Sequence, residues 1–249
     1  MERTVNGKTI VVSGAADGIG YEIVANFLLK GAKLVIILDI NQERGFKTEK
    51  ILNEKYGDGK AVFIKCDVIS DLESVTKRIF NEFNQVDVLV NNAGIADETS
   101  YLKTIEINLI AVIAWTEKFY EYMRKDKGGN GGTIMNISSI YGYRIIPYAP
   151  FYNATKFGVM GYSKSLGHSH NFEKTSVRVL TICPGVTKTN LVSSCKLRDI
   201  DVLTLFADDS YQKDWQNSDV VGREIVEVFQ KADSGSSWVI ERSLPAEEI

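Results

Sequence analysis

Near the start of the chain, the run Ser13-Gly14-Ala15-Ala16-Asp17-Gly18-Ile19-Gly20 follows a short apolar segment and leads at once into a helical pattern. Glycines at this spacing let the backbone turn tightly and approach a pyrophosphate, whose charge settles at the helix N-terminus. The pattern is Gly-x3-Gly-x-Gly rather than the Gly-x-Gly-x2-Gly of the common dinucleotide fingerprint, so its position between a strand and a helix carries the inference. Gly14, Asp17, Gly18, Ile19 and Gly20 are therefore candidate cofactor contacts. A second glycine cluster, Gly128-Gly129-Asn130-Gly131-Gly132, lies after a helix and before a strand. No helix N-terminus faces it, and it reads as a turn.

The second apolar run ends at Asp39, nineteen residues past Gly20. A carboxylate there accepts hydrogen bonds from the adenosine ribose hydroxyls. A ribose 2′-phosphate would meet like charge from Asp39, and Asp17 adds a second carboxylate nearby. Arg44 would have to outweigh both, so the expected cofactor is NAD rather than NADP. Asp67, followed by Val68, ends the third run and is placed to accept the adenine amino group. Asn91-Asn92-Ala93-Gly94 ends the fourth. Asn91, Ala93 and Gly94 let the chain pass close beneath the adenosine and tie strands together.

Tyr-x3-Lys occurs twice. Tyr56 and Lys60 flank Gly57-Asp58-Gly59, a turn that cannot present both side chains on one face. Tyr152 and Lys156 lie within a helical pattern, where residues four apart share a face. Upstream, Ile137-Ser138-Ser139 closes the fifth apolar run, and Asn108 is a polar amide inside an apolar helical stretch. His168 and His170, the two histidines, stand two apart on a helix and face different directions, as surface or subunit-contact residues do.

These groups need a frame that brings strand ends together. Short runs rich in Val and Ile recur at 8–13, 33–39, 61–66, 86–91, 133–138, 177–183 and 237–241, as strands buried on both faces require. Helical patterns fill 18–30, 41–56, 70–84, 99–126, 150–173 and 217–231. Alternation of this kind implies right-handed crossovers and a parallel sheet covered on both faces. The expected fold is α/β: a single doubly wound, Rossmann-type domain over 1–249 with seven parallel strands, and an irregular flap at about 186–216. Ligands bind such sheets beyond the carboxyl ends of the strands, where strand order reverses.

Composition supports this frame and excludes others. The chain has 249 residues, 44% hydrophobic and 24% charged, with a net charge of −3. That balance argues against nucleic acid or an anionic membrane as partner. Three scattered cysteines suit neither a disulfide framework nor a zinc site, and no metal is expected. The longest apolar runs fall far short of the ~20 residues that cross a bilayer. The first residues hold no apolar secretory core, so a cytoplasmic protein is expected. Four prolines punctuate the chain, and three of them, Pro147, Pro150 and Pro184, fall close to Ser139, Tyr152 and the end of the sixth strand.

Taken in order, Ser-Gly-x3-Gly-x-Gly, Asn-Asn-Ala-Gly, Asn108, Ser139, Tyr152-x3-Lys156 and Pro184-Gly185-Val186-Thr187-Lys188-Thr189 resemble the short-chain dehydrogenase/reductase family over essentially the whole chain. Ser13 departs from that family's usual threonine but keeps a hydroxyl. Within the family the chain is most similar to the insect-type alcohol dehydrogenases and the NAD-dependent 15-hydroxyprostaglandin dehydrogenases, through 35–39, 128–132, the Pro-Gly-Val-Thr-Lys-Thr run and the tail around Trp238.

The resemblance implies a set of roles. Tyr152 is the general base for the alcohol proton, Lys156 and the positive nicotinamide lower its pKa, and Lys156 also holds the nicotinamide ribose. Ser139 orients the substrate oxygen, and Asn108 bends its helix, holds a water and links Lys156 to solvent. Pro184, Gly185 and Val186 turn the backbone beside the nicotinamide, whose carboxamide meets Thr187 and Thr189. The resemblance also implies a homodimer through the 99–126 and 150–173 helices. A protein that binds cofactor without turnover would have no need for Asn108, Ser139, Tyr152 and Lys156 together. Beyond Ser139, the expected substrate contacts are Ile95, Tyr141, Ile146 and Phe206. This mainly apolar set suits an uncharged primary or secondary alcohol or its carbonyl, with a hydroxy-fatty acid as the alternative. No basic cluster awaits a substrate phosphate or carboxylate, although Lys196 and Arg198 could supply positive charge.

Overall fold

The computed structural model describes residues 3–83, 85–199 and 214–249. The chain begins with three strand–helix units: β1 (Thr9–Ser13), α1 (Gly18–Leu29), β2 (Leu34–Asp39), α2 (Gln42–Tyr56), β3 (Ala61–Lys65) and α3 (Leu72–Glu82). Next come β4 (Val88–Asn91), α4 (Tyr101–Ile105), a π turn (Glu106–Ile110), α5 (Ala111–Met123) and β5 (Gly132–Ile137). The second half holds α6 (Pro150–Leu166), α7 (Ser169–Thr175), β6 (Val177–Pro184), α8 (Asn190–Ser193), α9 (Ser218–Lys231), β7 (Ser237–Ile240) and β8 (Glu247–Glu248).

The strands form one sheet in the order β3-β2-β1-β4-β5-β6-β7-β8, all parallel except β8. Alternate strand residues feed opposite layers. Ile10, Val12, Val35 and Ile37 join a core with α1 and α9, while Val11, Ile36 and Leu38 join one with α3 and α5. Period-2 alternation explains the split, and apolar helices on both faces explain why the strands read as continuous Val/Ile runs. Order reverses between β1 and β4, which places the ligand crevice above Ser13 and Asn91.

Three boundaries differ from the periodicity. The 99–126 pattern is interrupted by the π turn around Asn108, because a one-residue insertion barely disturbs a helical repeat in sequence. The 150–173 pattern divides at Gly167, where the chain runs so close to the 235 turn that a Cβ would lie 2.6 Å from the Gly235 nitrogen. Both histidines are exposed there, and His168 Nδ1 caps α7 by accepting from the His170 amide at 3.2 Å. β8 adds two residues antiparallel to β7 through Trp238 and Val239, too short and too acidic to register as a strand.

Beneath the crevice, a polar network crosses the otherwise apolar interior. Asn91 Nδ2 donates to Thr116 Oγ1 at 3.0 Å and to Asn136 Oδ1 at 2.8 Å. Thr116 Oγ1 donates to the same Asn136 oxygen at 3.1 Å, and Asn136 Nδ2 donates to Ser163 Oγ at 2.9 Å. All four are buried, and together they bind β4, β5, α5 and α6. Among the described residues no helix is long and apolar enough to cross a membrane.

Candidate active site

The glycine loop is held by its neighbour strand. Ser13 Oγ accepts from the amides of Asn92 and Ala93, both at 3.1 Å, and Asn92 Nδ2 donates to the carbonyls of Ser13 and Gly14. Serine thus does what the sequence asked of a hydroxyl there. Gly14 has φ +62°, and a Cβ on it would meet Ala93 Cα at 2.8 Å. A Cβ on Gly20 would meet the Gly14 carbonyl at 2.2 Å. Gly20 therefore lets α1 press against the loop, and it does not reach the cleft wall.

Above the loop lies an open cleft walled by Gly14, Asp17, Gly18, Asp39, Asp67 and Val68 among others. Asp39 receives one backbone amide on each oxygen, Ala16 at 3.0 Å and Asn41 at 2.9 Å. Each carboxylate oxygen still has a lone pair to offer. Asp67 Oδ1 accepts from the Ile69 amide at 2.9 Å. Asp17 caps α1 through Gly18 N at 2.7 Å and pairs with Arg44 at 3.1 Å; Asn190 Nδ2 also donates to it. The left-handed glycines, the N-terminus of α1 and the acceptor pair suit an elongated phosphate-bearing ligand.

A second cleft shares Ile19, Asn92, Gly94, Thr189 and Leu191 with the first, so the two are continuous. Ser139, Tyr152 and Lys156 all stand on its wall. Tyr152 and Lys156 come from successive turns of α6, and Ser139 from the end of β5. Lys156 is 4% exposed; its Nζ donates to the Ile137 carbonyl at 2.9 Å and lies 5.5 Å from the Tyr152 ring centre. The Ser139 hydroxyl is hydrogen-bonded to that of Tyr152. Burial pushes the Tyr152 phenol up to about 12, and the Ser139 bond opposes part of that rise. Burial likewise pushes Lys156 down to about 8. Cys183, at the end of β6, lies beside them as a thiol pushed up to about 11 by burial.

Asn108 sits fully buried behind this wall, in the π turn. Both ends of its amide serve Ile95: Oδ1 accepts from Ile95 N at 2.9 Å and Nδ2 donates to Ile95 O at 2.8 Å. A Cβ on Gly94 would lie 3.3 Å from Asn108 Oδ1 and 3.8 Å from Lys156 Nζ, so the three converge.

Most residues singled out from the sequence line the two clefts. Ala93 and Gly94 do so, as do Pro184, Gly185, Val186, Thr187 and Thr189 beyond β6 and, on the reacting side, Tyr141 and Ile146. Two assignments change. Asn91 belongs to the buried network, because its side chain points into the sheet's helix layer, and Asn92 takes the wall instead. Ile95 faces the dinucleotide cleft, since Asn108 grips its backbone from behind, and Ala96 replaces it on the reacting side. Phe206 lies outside the described residues.

Three contributors carry no sequence signal. Buried Glu98 accepts the amides of Phe151 and Tyr152 at 3.0 and 2.8 Å. Asn153 donates to the carbonyls of Tyr141 and Arg144, at 2.6 and 3.0 Å, fastening the segment after β5 onto α6. Gln216 is tied to two segments, donating to Ile240 O at 2.8 Å while its backbone pairs with Val186 and Lys188.

Known proteins divide along the same lines. The family model for short chain dehydrogenase matches residues 8–199. The chain belongs to the short-chain dehydrogenase family. It is 41% identical over 192 residues to the rat (Rattus norvegicus) 15-hydroxyprostaglandin dehydrogenase [NAD(+)], covering 76% of this chain and 72% of the rat protein. It is 32% identical over 239 residues to alcohol dehydrogenase 1 of Ceratitis cosyra, covering 95% of this chain and 92% of that one. In fold it matches the NADH complex of a 3-ketoacyl-(acyl-carrier-protein) reductase from Brucella melitensis, with TM-score 0.81 and 22% identity over 97% of this chain and all of that one. L-sorbose reductase from Gluconobacter frateurii, complexed with NADPH and L-sorbose, follows at TM-score 0.80 and 23% identity over 96% and 97% of the two chains. As a short-chain dehydrogenase the chain is an oxidoreductase of a family that binds a nicotinamide cofactor, and its paired clefts fit one.

Proposed function

We propose that this short-chain dehydrogenase is an NAD-dependent alcohol dehydrogenase, oxidising an uncharged, largely apolar primary or secondary alcohol and reversibly reducing the matching carbonyl. The observation that carries this is the convergence of Ser139, Tyr152 and Lys156 on a cleft continuous with the glycine-loop cleft. Tyr152 takes the substrate hydroxyl proton on its phenolic oxygen. Lys156 and Ser139 make that possible: the ammonium stabilises the phenolate through space, and the Ser139 hydroxyl orients the substrate oxygen. An oxidised nicotinamide, when bound, supplies the hydride acceptor and a second positive charge. Asn108 holds the π turn in which a water can relay the proton from Lys156 outward. Pro184, Gly185, Val186, Thr187 and Thr189, which line the second cleft, would hold the nicotinamide, and the two threonine hydroxyls would serve its carboxamide.

The preference for NAD over NADP rests on charge. A 2′-phosphate would face Asp39, and Arg44, the nearest cation on that wall, is already paired with Asp17. The name of the rat relative, which specifies NAD(+), agrees. The reacting cleft supports an uncharged substrate: Ala96, Tyr141, Ile146, Val192, Leu197 and Trp215 line it. Lys196 is paired with Asp97 at 2.9 Å and Arg198 with Asp199 at 3.5 Å. The 41% identity to the rat enzyme favours a second reading, a hydroxy-fatty-acid dehydrogenase. We also propose a homodimer through the 99–126 and 150–173 helices, supported by the exposed Tyr101 and Leu102 on α4, Ile110 in the π turn and Phe157 on α6. A cytoplasmic setting is in keeping with three free cysteines, two of them buried.

Tyr152→Phe tests the mechanism: it should bind NAD as the parent does and lose alcohol oxidation, and unchanged turnover would sink the role given to the phenol. A panel running from ethanol through isoprenoid and steroid alcohols to hydroxy-fatty acids, followed by NADH absorbance, separates the two substrate readings.

A further inference from the structure

Helix α6 starts without a cap of its own. Ala149 occupies the capping position and offers no side-chain acceptor. The first-turn donors can be accounted for one by one. Pro150 has no N–H, and the Asn153 amide returns to the Ala149 carbonyl at 2.8 Å. The remaining two, Phe151 and Tyr152, both go to Glu98, more than fifty residues earlier, at 3.0 and 2.8 Å. The Glu98 residue is 7% exposed, and its carboxylate faces the positive end of the α6 dipole.

The segment bearing Glu98 is fixed at three further points. Asn108 grips Ile95, two residues behind Asp97. Asp97 pairs with Lys196, and Ala96 O and Glu98 N bond to Lys196 across a short parallel bridge at 2.9 and 2.8 Å. Residues 95–98 thus form a strut running from the π turn, past Lys196, to the backbone of Tyr152.

We infer that Glu98 is a positioning residue for the Tyr152 base: it supplies from another part of the chain the cap that α6 lacks, and so fixes where the phenol stands relative to Ser139 and Lys156. The inference rests on the proposed function, since it assigns Glu98 to the reaction through Tyr152. Without the carboxylate, two part-buried amides lose their acceptor, the first turn loosens, and the phenol shifts, while the wall of the dinucleotide cleft, which does not include Glu98, stays as it is.

The experiment compares the parent with Glu98→Ala and Glu98→Gln, measuring cyclohexanol oxidation, NADH affinity by fluorescence, the thermal midpoint, and hydrogen exchange of the 151–156 amides. Glu98→Ala should lose about 10- to 100-fold in kcat, the scale on which an ångström of misplacement is felt. NADH affinity should stay within about twofold, because the first cleft does not include Glu98. Exchange should rise at Phe151 and Tyr152. Glu98→Gln keeps one acceptor oxygen and should recover part of the rate; it also carries the test if Glu98→Ala does not fold. Parental kcat in Glu98→Ala, or a rate loss that tracks NADH affinity or folded fraction, overturns the inference. An inactive Tyr152→Phe beside a fully active Glu98→Ala would reject this role alone, whereas an active Tyr152→Phe would reject the proposed mechanism itself.

Discussion

Lys156 is a buried ammonium whose one acceptor among the described residues is the Ile137 carbonyl; its titratable neighbours there are the neutral Tyr152 phenol and the Cys183 thiol. Burial lowers its pKa from the ordinary 10.5 to about 8. At about 1.4 kcal/mol per pH unit, that gap is a folding penalty of roughly 3 kcal/mol at pH 7. The sign follows from linkage. With the folded pKa below the unfolded one, the penalty is complete below pH 8, shrinks between 8 and 10.5, and vanishes above. Lys156→Met removes the penalty and strands the Ile137 carbonyl, a cost of about 1–3 kcal/mol that does not vary with pH. Tyr152, near 12 when folded, behaves alike in both proteins. The stability of Lys156→Met relative to parent should therefore fall by roughly 2 kcal/mol between pH 7 and pH 9.5, whatever its sign at either pH. Urea denaturation of the cofactor-free proteins at the two pH values, followed by tryptophan fluorescence, measures this directly. A difference that stays constant with pH would refute the claim that the site holds its ammonium against a desolvation cost. The variant should be catalytically dead at both pH values.

Two more predictions concern the cofactor cleft. Asp17→Asn releases Arg44 while leaving Asp39 in place, and should raise the NADP-to-NAD ratio of kcat/KM roughly tenfold, the worth of one unit charge a few ångströms away in a partly screened site; an unchanged ratio would show that Arg44 cannot reach a 2′-phosphate. Gly14→Ala puts a side chain at φ +62° and 2.8 Å from Ala93 Cα. It should cost at least about 1–2 kcal/mol, a drop of several degrees in Tm, and weaken NADH binding measured by fluorescence.

Much of this architecture is readable from the sequence because its signals are local. The Val/Ile runs mark seven parallel strands, and a four-residue spacing suffices to put Tyr152 and Lys156 on one face. What escapes is nonlocal or too brief. The π turn is a single extra residue, hinted at by Asn108 and invisible to a repeat of 3.6. β8 owes its existence to pairing with β7. Glu98 acts on amides more than fifty positions away; the uncapped Ala149-Pro150 start signals that a partner is missing and cannot say which. In the Asn91–Gly94 run, sequence offers two adjacent asparagines, and only strand direction decides that Asn92 meets the cleft while Asn91 turns inward.

That inward turn constrains how the protein can change over time. Asn91, Thr116, Asn136 and Ser163 are linked by direct side-chain hydrogen bonds. Replacing any one with an apolar residue strands a partner, while later replacements meet a group already disconnected and do less harm. The first step is thus the worst, and a lineage that starts down the path passes through less stable intermediates before reaching an all-apolar set. Among dehydrogenases of this kind, the four identities should be inherited together or lost together, and a double replacement of Asn91 and Asn136 should destabilise by less than the sum of the two singles.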